Sequence, residues 1–232
     1  MEFHELHLEK IIYEIRFESA YLFWDKSGEI MSNLTLKFPH FRLKNAQLSN
    51  VESLWAEEGI GVNFNNVKAD VYQEFPESLD NFMLVTDALT SAIGDVLRIP
   101  SFTRVGVRFI WVYPAASKED AVDLISKSTL ICVDADKAKP FGSRIVERNL
   151  HLRFEDEDRG CSVRVLNATR KAEVELPRFF AVDTSRYPKT VVSVDVDCYT
   201  KLAVPRPNLK PSDFIRANRK TIAANVLGLI GI

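Results

Sequence analysis

Residues 102–114, FTRVGVRFIWVYP, read as the clearest strand of the chain. Val105, Val107, Phe109, Trp111 and Tyr113 fall on one side of an extended chain, and Arg104, Gly106, Arg108 and Ile110 on the other. Successive side chains of a strand point to opposite faces, so this stretch asks for one apolar and one polar surrounding. An antiparallel sheet with one packed and one wet face meets both demands. Two further stretches repeat the pattern. Between Leu8 and Phe17, Ile11, Tyr13, Ile15 and Phe17 oppose Ile12, Glu14 and Arg16, with Glu18 just beyond. Late in the chain Val192, Val194, Val196 and Cys198 alternate with Ser193, Asp195, Asp197 and Tyr199.

Helices punctuate these strands. Ser27 is placed to cap a helix carrying Ile30, Met31, Leu34 and Phe38, which Pro39 ends. The strongest helical period runs from about Glu77 to Arg98. Its stripe is Leu79, Phe82, Met83, Thr86, Leu89, Ile93, Val96 and Leu97, stopped by Pro100. Ser117 to Asp120 resembles a capping box opening a short helix to about Lys127, and Ser212 or Asp213 caps a final helix to about Leu227. Strands are expected at Ile60–Phe64 and Val67–Tyr72 around an Asn65-Asn66 turn, as a hairpin of Val146–Phe154 with Cys161–Leu166, and at Lys171–Leu176. Residues 44–58 carry no decisive period. The expectation is an α+β fold of two related sheet-plus-helix halves, 1–133 and 145–232, with mostly antiparallel sheets each covered by a long helix. The polar stretch 134–144 would connect them, within separate halves or one integrated domain.

With 232 residues and 46% hydrophobic content the chain is long enough to bury a core without staples. Thirty basic against 32 acidic residues leave a net charge of −2, without the overall cationic footprint of a non-specific nucleic-acid binder. Cys132, Cys161 and Cys198 are odd in number and far apart, so neither a disulfide framework nor a structural zinc site is expected. MEFHELHLEK has no apolar signal core, and no run approaches a membrane span; the expected compartment is a reducing cytoplasm.

Phosphate-binding glycine loops, zinc-protease helices and nucleophile elbows are all missing from the sequence. No catalytic residue, metal ligand or cofactor is expected. Asp134/Asp136 and Asp195/Asp197 have the i, i+2 spacing that puts two carboxylates on one strand face, though a solvated sheet face explains them as well. The informative set is Glu14, Arg16, Arg104, Arg108, Asp195 and Asp197. If their strands are neighbours, they form either a salt-bridge ladder or a charged groove for an anionic ligand or an acidic partner segment. Gly106 between the two arginines would admit a close approach by a ligand or a covering helix. Arg216, Arg219 and Lys220 give the last helix a basic patch, a weaker candidate for nucleic acid.

The opening strand IIYEIRFES, the Phe38-Pro39 pair, Tyr72-x-Glu74-Phe75 before a long helix, FTRVGVRFIWVYP and the late VVSVDVDCY occur in an order that resembles a sporadically distributed family of uncharacterised prokaryotic proteins. Its members carry an Arg-Ile-Gly-Leu-Arg-Tyr strand; here Phe109 and Trp111 stand where Tyr and Asn are usual. That resemblance implies a prokaryotic source and a shared fold, without a reaction. A weaker likeness is to triphosphate tunnel enzymes, whose opening Glu-x-Glu-x-Lys is here Glu14-x-Arg16-x-Glu18. The functional expectation is a non-enzymatic protein-interaction or ligand-binding module. Its partner would be another protein or a second copy of the chain, with a defence or toxin-neutralising setting suggested by the family's patchy distribution. A metal-dependent triphosphate or nucleotide phosphohydrolase and a nucleic-acid binder are the alternatives.

Overall fold

The computed structural model describes residues 6–47, 49–126, 140, 147–169 and 190–230. Nine strands form one sheet: β1 (His7–Arg16), β2 (Arg42–Gln47), β3 (Asn50–Trp55), β4 (Ile60–Phe64), β5 (Lys68–Glu74), β7 (Arg104–Ala115), β8 (Leu150–Glu155), β9 (Arg159–Thr169) and β10 (Thr190–Thr200). Their order is β2-β3-β4-β5-β1-β7-β10-β9-β8, and each of these pairings is antiparallel. Short β6 (Ser101–Phe102) and β11 (Val204–Pro205) pair separately. Among the described residues there are four α-helices: α1 (Phe23–Lys37), α2 (Asp80–Val96), α3 (Lys118–Ser126) and α4 (Pro211–Ile230). It is an α+β architecture. Among the described residues no helix is long and apolar enough to cross a membrane.

The alternation of the sequence sets the two sides of this sheet. Ile11, Tyr13, Ile15, Val105, Val107, Phe109, Val192, Val194 and Val196 face a single core, which they share with Phe23, Ile30 and Leu34 of α1, Phe82, Val85, Leu89 and Ile93 of α2, Ala121 and Ile125 of α3, and Ile215 and Ile222 of α4. Burial of this apolar area is the main stabilising term. The opposite side carries the polar set. Strands from both expected halves lie in one sheet, because β7 and β10 pair continuously from Ala115↔Thr190 to Gly106↔Tyr199. The 134–144 connector lies outside the described residues except for residue 140, and so does the strand expected at Lys171–Leu176.

Element ends differ from the sequence expectation where packing outweighs local signals. Helix α1 begins at Phe23, ahead of the Ser27 cap, because the Phe23 ring is buried edge-on against Phe64 at 6.1 Å. Helix α2 starts at Asp80, whose N–H donates to Ser78 Oγ at 3.1 Å. The Ser117 cap holds: its Oγ accepts Asp120 N–H at 3.1 Å, while the Asp120 carboxylate takes the Ala116 N–H. The Asn65 side chain closes the β4–β5 turn by accepting the N–H groups of Val67 and Lys68.

Residues 44–58 resolve into β2, β3 and a 3-10 turn at Ala56–Glu58 that ends on Gly59 with φ of 63°. A Cβ there would sit 2.9 Å from the Glu74 carbonyl oxygen. Gly59→Ala combines left-handed strain with a backbone clash and is expected to cost about 1–3 kcal/mol, measured as a lowered urea midpoint at unchanged m-value.

Candidate functional site

The arginine-bearing, aspartate-bearing and N-terminal strands are neighbours, in the order β1-β7-β10. Register then decides which charges meet. Glu14 stands opposite Gly106 on β7 and opposite Asp70 on β5; Arg108 stands opposite Ile12 on β1 and Asp197 on β10. Asp195 lies between Ile110 and Arg164 of β9. All six strand residues singled out in the sequence therefore share one sheet face.

They form two neighbouring ion-pair groups on that face, Arg16–Glu14–Arg104–Asp197 and Arg108–Asp195. Arg104 donates from Nη1 to Glu14 Oε1 at 2.7 Å and from Nη2 to Asp197 Oδ2 at 3.1 Å, with its guanidinium 4.7 Å from the Tyr199 ring centroid. Arg16 Nε donates to the same Glu14 oxygen at 2.7 Å. Arg108 engages Asp195 through two bonds, Nε to Oδ1 at 2.7 Å and Nη2 to Oδ2 at 2.6 Å. That side-on fork is the strong geometry for an arginine–carboxylate pair. Arg164 Nη1 stands 3.8 Å from Asp195 Oδ2. Hydrogen bonding to Asp195 raises the Arg108 guanidinium above its ordinary value, while burial raises the Asp197 carboxyl against the pull of Arg104 and Arg108.

Close packing explains the glycines. A Cβ on Gly106 would meet Arg104 Nη1 at 2.9 Å, so the space expected for a ligand or covering helix is filled by the arginine of the same strand. Gly160 is likewise overlaid by the Tyr199 ring, 2.4 Å from where a Cβ would be.

Four contributors were not singled out in the sequence: Lys68, Asp70, Arg164 and Tyr199. Lys68 Nζ lies 3.9 Å from Glu14 Oε2 and 3.8 Å from Asp70 Oδ1, bridging two carboxylates that face each other directly. Burial, reinforced by Glu14, pushes the Asp70 carboxyl up to about 6, although Lys68 and the amide of Asn63 at 3.3 Å oppose the rise. The signal was present: Lys68 and Asp70 alternate with buried Ala69 and Val71, as Arg164 does with Val163 and Val165.

The other candidates lie apart from the ladder. Arg216, Arg219 and Lys220 are exposed on α4, with Arg216 3.6 Å from Asp213. A cleft of about 590 Å³ runs between α2 and the start of α4. Asp80, Asp87 and Asp213 outnumber Lys210 and Arg216 in its lining, and Asp87 is occupied in accepting the Ser212 N–H at 3.1 Å. His151 on β8 shares a 2.9 Å hydrogen bond with Ser162. Asp134, Asp136 and Cys132 fall outside the described residues. Among the described residues no three His, Cys, Asp or Glu side chains are grouped to hold a metal ion.

In comparison with known proteins, no protein-family model and no curated protein matches the chain.

Proposed function

We propose that the chain is a non-enzymatic interaction module whose charged sheet face docks an acidic, extended segment of a partner protein. The observation that carries this is the two-edged use of the arginines. Asp195, 5% exposed, grips the Nε/Nη2 edge of Arg108, while 39% of the Arg108 side chain remains exposed on the other side. Arg164 and Arg16 are 46% and 54% exposed on either flank. The Arg108 guanidinium, already fixed by a buried carboxylate, loses little rotamer freedom when a further carboxylate arrives, so this part of the face is preorganised for one.

The test is fluorescence anisotropy of an alternating Asp-Glu peptide with the wild-type chain and with Arg16→Glu/Arg164→Glu. At these exposed positions the reversal leaves Arg108 on Asp195 and Arg104 on Glu14. The double reversal is expected to weaken binding at least about tenfold, with a matching loss as salt is raised. Equal binding by both proteins refutes the reading. Thermal stabilisation by triphosphate with magnesium, stronger than by the peptide, replaces it with the phosphohydrolase, and salt-sensitive DNA retention lost on Arg219→Glu/Lys220→Glu replaces it with the nucleic-acid binder.

A further inference from the structure

Two of the three cysteines, 37 residues apart in sequence, meet in the fold. Cys161 on β9 and Cys198 on β10 are directly opposed in the antiparallel register, and their Sγ atoms are 3.1 Å apart. Directly opposed antiparallel residues have Cα atoms about 4.5–5.5 Å apart. Disulfides span Cα separations of about 4.4–6.8 Å with sulfurs about 2.05 Å apart. The backbone spacing is therefore already suitable, and the sulfurs need to close by only about 1 Å through side-chain rotation. We propose that Cys161 and Cys198 form an oxidation-sensitive cross-strand dithiol that closes to a disulfide on reaction with a hydroperoxide.

The two sulfurs are unequal. Cys198 is buried in the core, whereas Cys161 is half-buried and lies opposite Phe154 of β8, the outermost strand of the sheet among the described residues, where Phe154 is 44% exposed. Cys161 is therefore the less buried of the two sulfurs. The hydrogen bond with Cys198 lowers the Cys161 thiol despite partial burial, and the same bond together with burial pushes Cys198 up. Thiolate character belongs to Cys161 and the proton to Cys198.

The Cys161 thiolate attacks the distal peroxide oxygen, the O–O bond breaks, and the alkoxide leaves as an alcohol; Cys161 becomes a sulfenic acid. Cys198 sulfur then attacks Cys161 sulfur, the S–O bond breaks, and hydroxide departs as water with the Cys198 proton. Two thiols and one hydroperoxide give one disulfide, one alcohol and one water. The two sulfurs supply the two electrons taken by the peroxide.

The full chain treated with hydrogen peroxide is expected to lose about 2 Da, to retain one of three thiols that react with maleimide after unfolding in urea, and to release a Cys161–Cys198 cross-linked peptide on proteolysis. Its Tm should rise by roughly 5–10 °C and return on reduction, because the bridge closes a long loop. Cys132→Ser should leave the mass loss intact; Cys161→Ser and Cys198→Ala should abolish it. Oxygen addition at Cys161 without bridge formation overturns the proposal, and so does a bridge that disappears in Cys132→Ser. The wild-type peptide map decides the matter even if Cys198→Ala fails to fold.

Discussion

Replacing Arg108 with methionine is expected to lower stability by about 2–4 kcal/mol, whereas Arg16→Met stays within about 0.5 kcal/mol. Both side chains hydrogen-bond a carboxylate at 2.7 Å, so bond length does not separate them. Burial of the partner does. Asp195 is 5% exposed and would be left with the Arg164 guanidinium at 3.8 Å, while Glu14 would keep Arg104 at 2.7 Å. Removing one member of a buried pair leaves a desolvated charge and costs about 3–5 kcal/mol; the partial exposure of Arg108 and the presence of Arg164 reduce that. A surface pair is worth about 0–1 kcal/mol. Urea denaturation should therefore show a large fall for one variant and almost none for the other. Arg108→Met/Asp195→Leu should recover most of the loss, since an apolar pair of similar volume often replaces a buried ion pair without penalty. A coupling energy in that cycle below about 0.5 kcal/mol would mean that the ladder is a set of independent solvated charges. The preorganisation on which acidic-segment docking depends would then be absent.

The strand faces were legible in the sequence because burial repeats with the period of the backbone. An extended chain hides the valines at 105, 107, 192, 194 and 196 on one face and puts Arg104, Arg108, Asp195 and Asp197 on the other. Which strands adjoin was not legible, since nothing local links Glu14 to Gly106 or Asp197 to Arg108; register settles that. Strand β2 escaped notice because Arg42–Gln47 is an edge with exposed residues on both faces, which erases the alternation. In β3 the buried Ser53 breaks the apolar period, although its hydroxyl is satisfied by donating to the Arg42 carbonyl at 2.8 Å. Asp70 was visible as a polar position but not as a perturbed one. Its character comes from Glu14 across the rung and from the loss of water around it. The cysteine pair was hidden for the same reason: each thiol reads as a core residue until strand pairing brings β9 and β10 into register.

Asp70→Asn should make the protein more stable at pH 7.5, by about 2 kcal/mol, and leave stability at pH 4 nearly unchanged. The sign follows from linkage. A carboxyl that ionises near 4 when unfolded and at about 6 when folded binds more protons in the folded chain throughout that interval. Stability is then greatest below the unfolded value, declines as pH rises from about 4 to 6, and is flat above, where the ionised group costs the fold about 3 kcal/mol. Asparagine keeps the shape and can still accept the Asn63 amide hydrogen bond, but carries no charge to desolvate and none to repel Glu14. Lys68 loses one carboxylate at 3.8 Å and keeps Glu14 at 3.9 Å, a small debit between partly exposed groups. Urea midpoints at the two pH values check the difference; an equal gain at both would assign the effect to packing rather than charge. A second consequence distinguishes a structural accident from a working part of the face. Removing the Asp70 charge makes the Glu14–Lys68–Arg104 cluster more positive, so the acidic peptide should bind Asp70→Asn more tightly at pH 7.5 while wild type gains affinity only as pH falls through 6. Coincidence of those two trends would tie the costly carboxylate to partner recognition, because the charge that weakens the fold would be the same one that tunes binding.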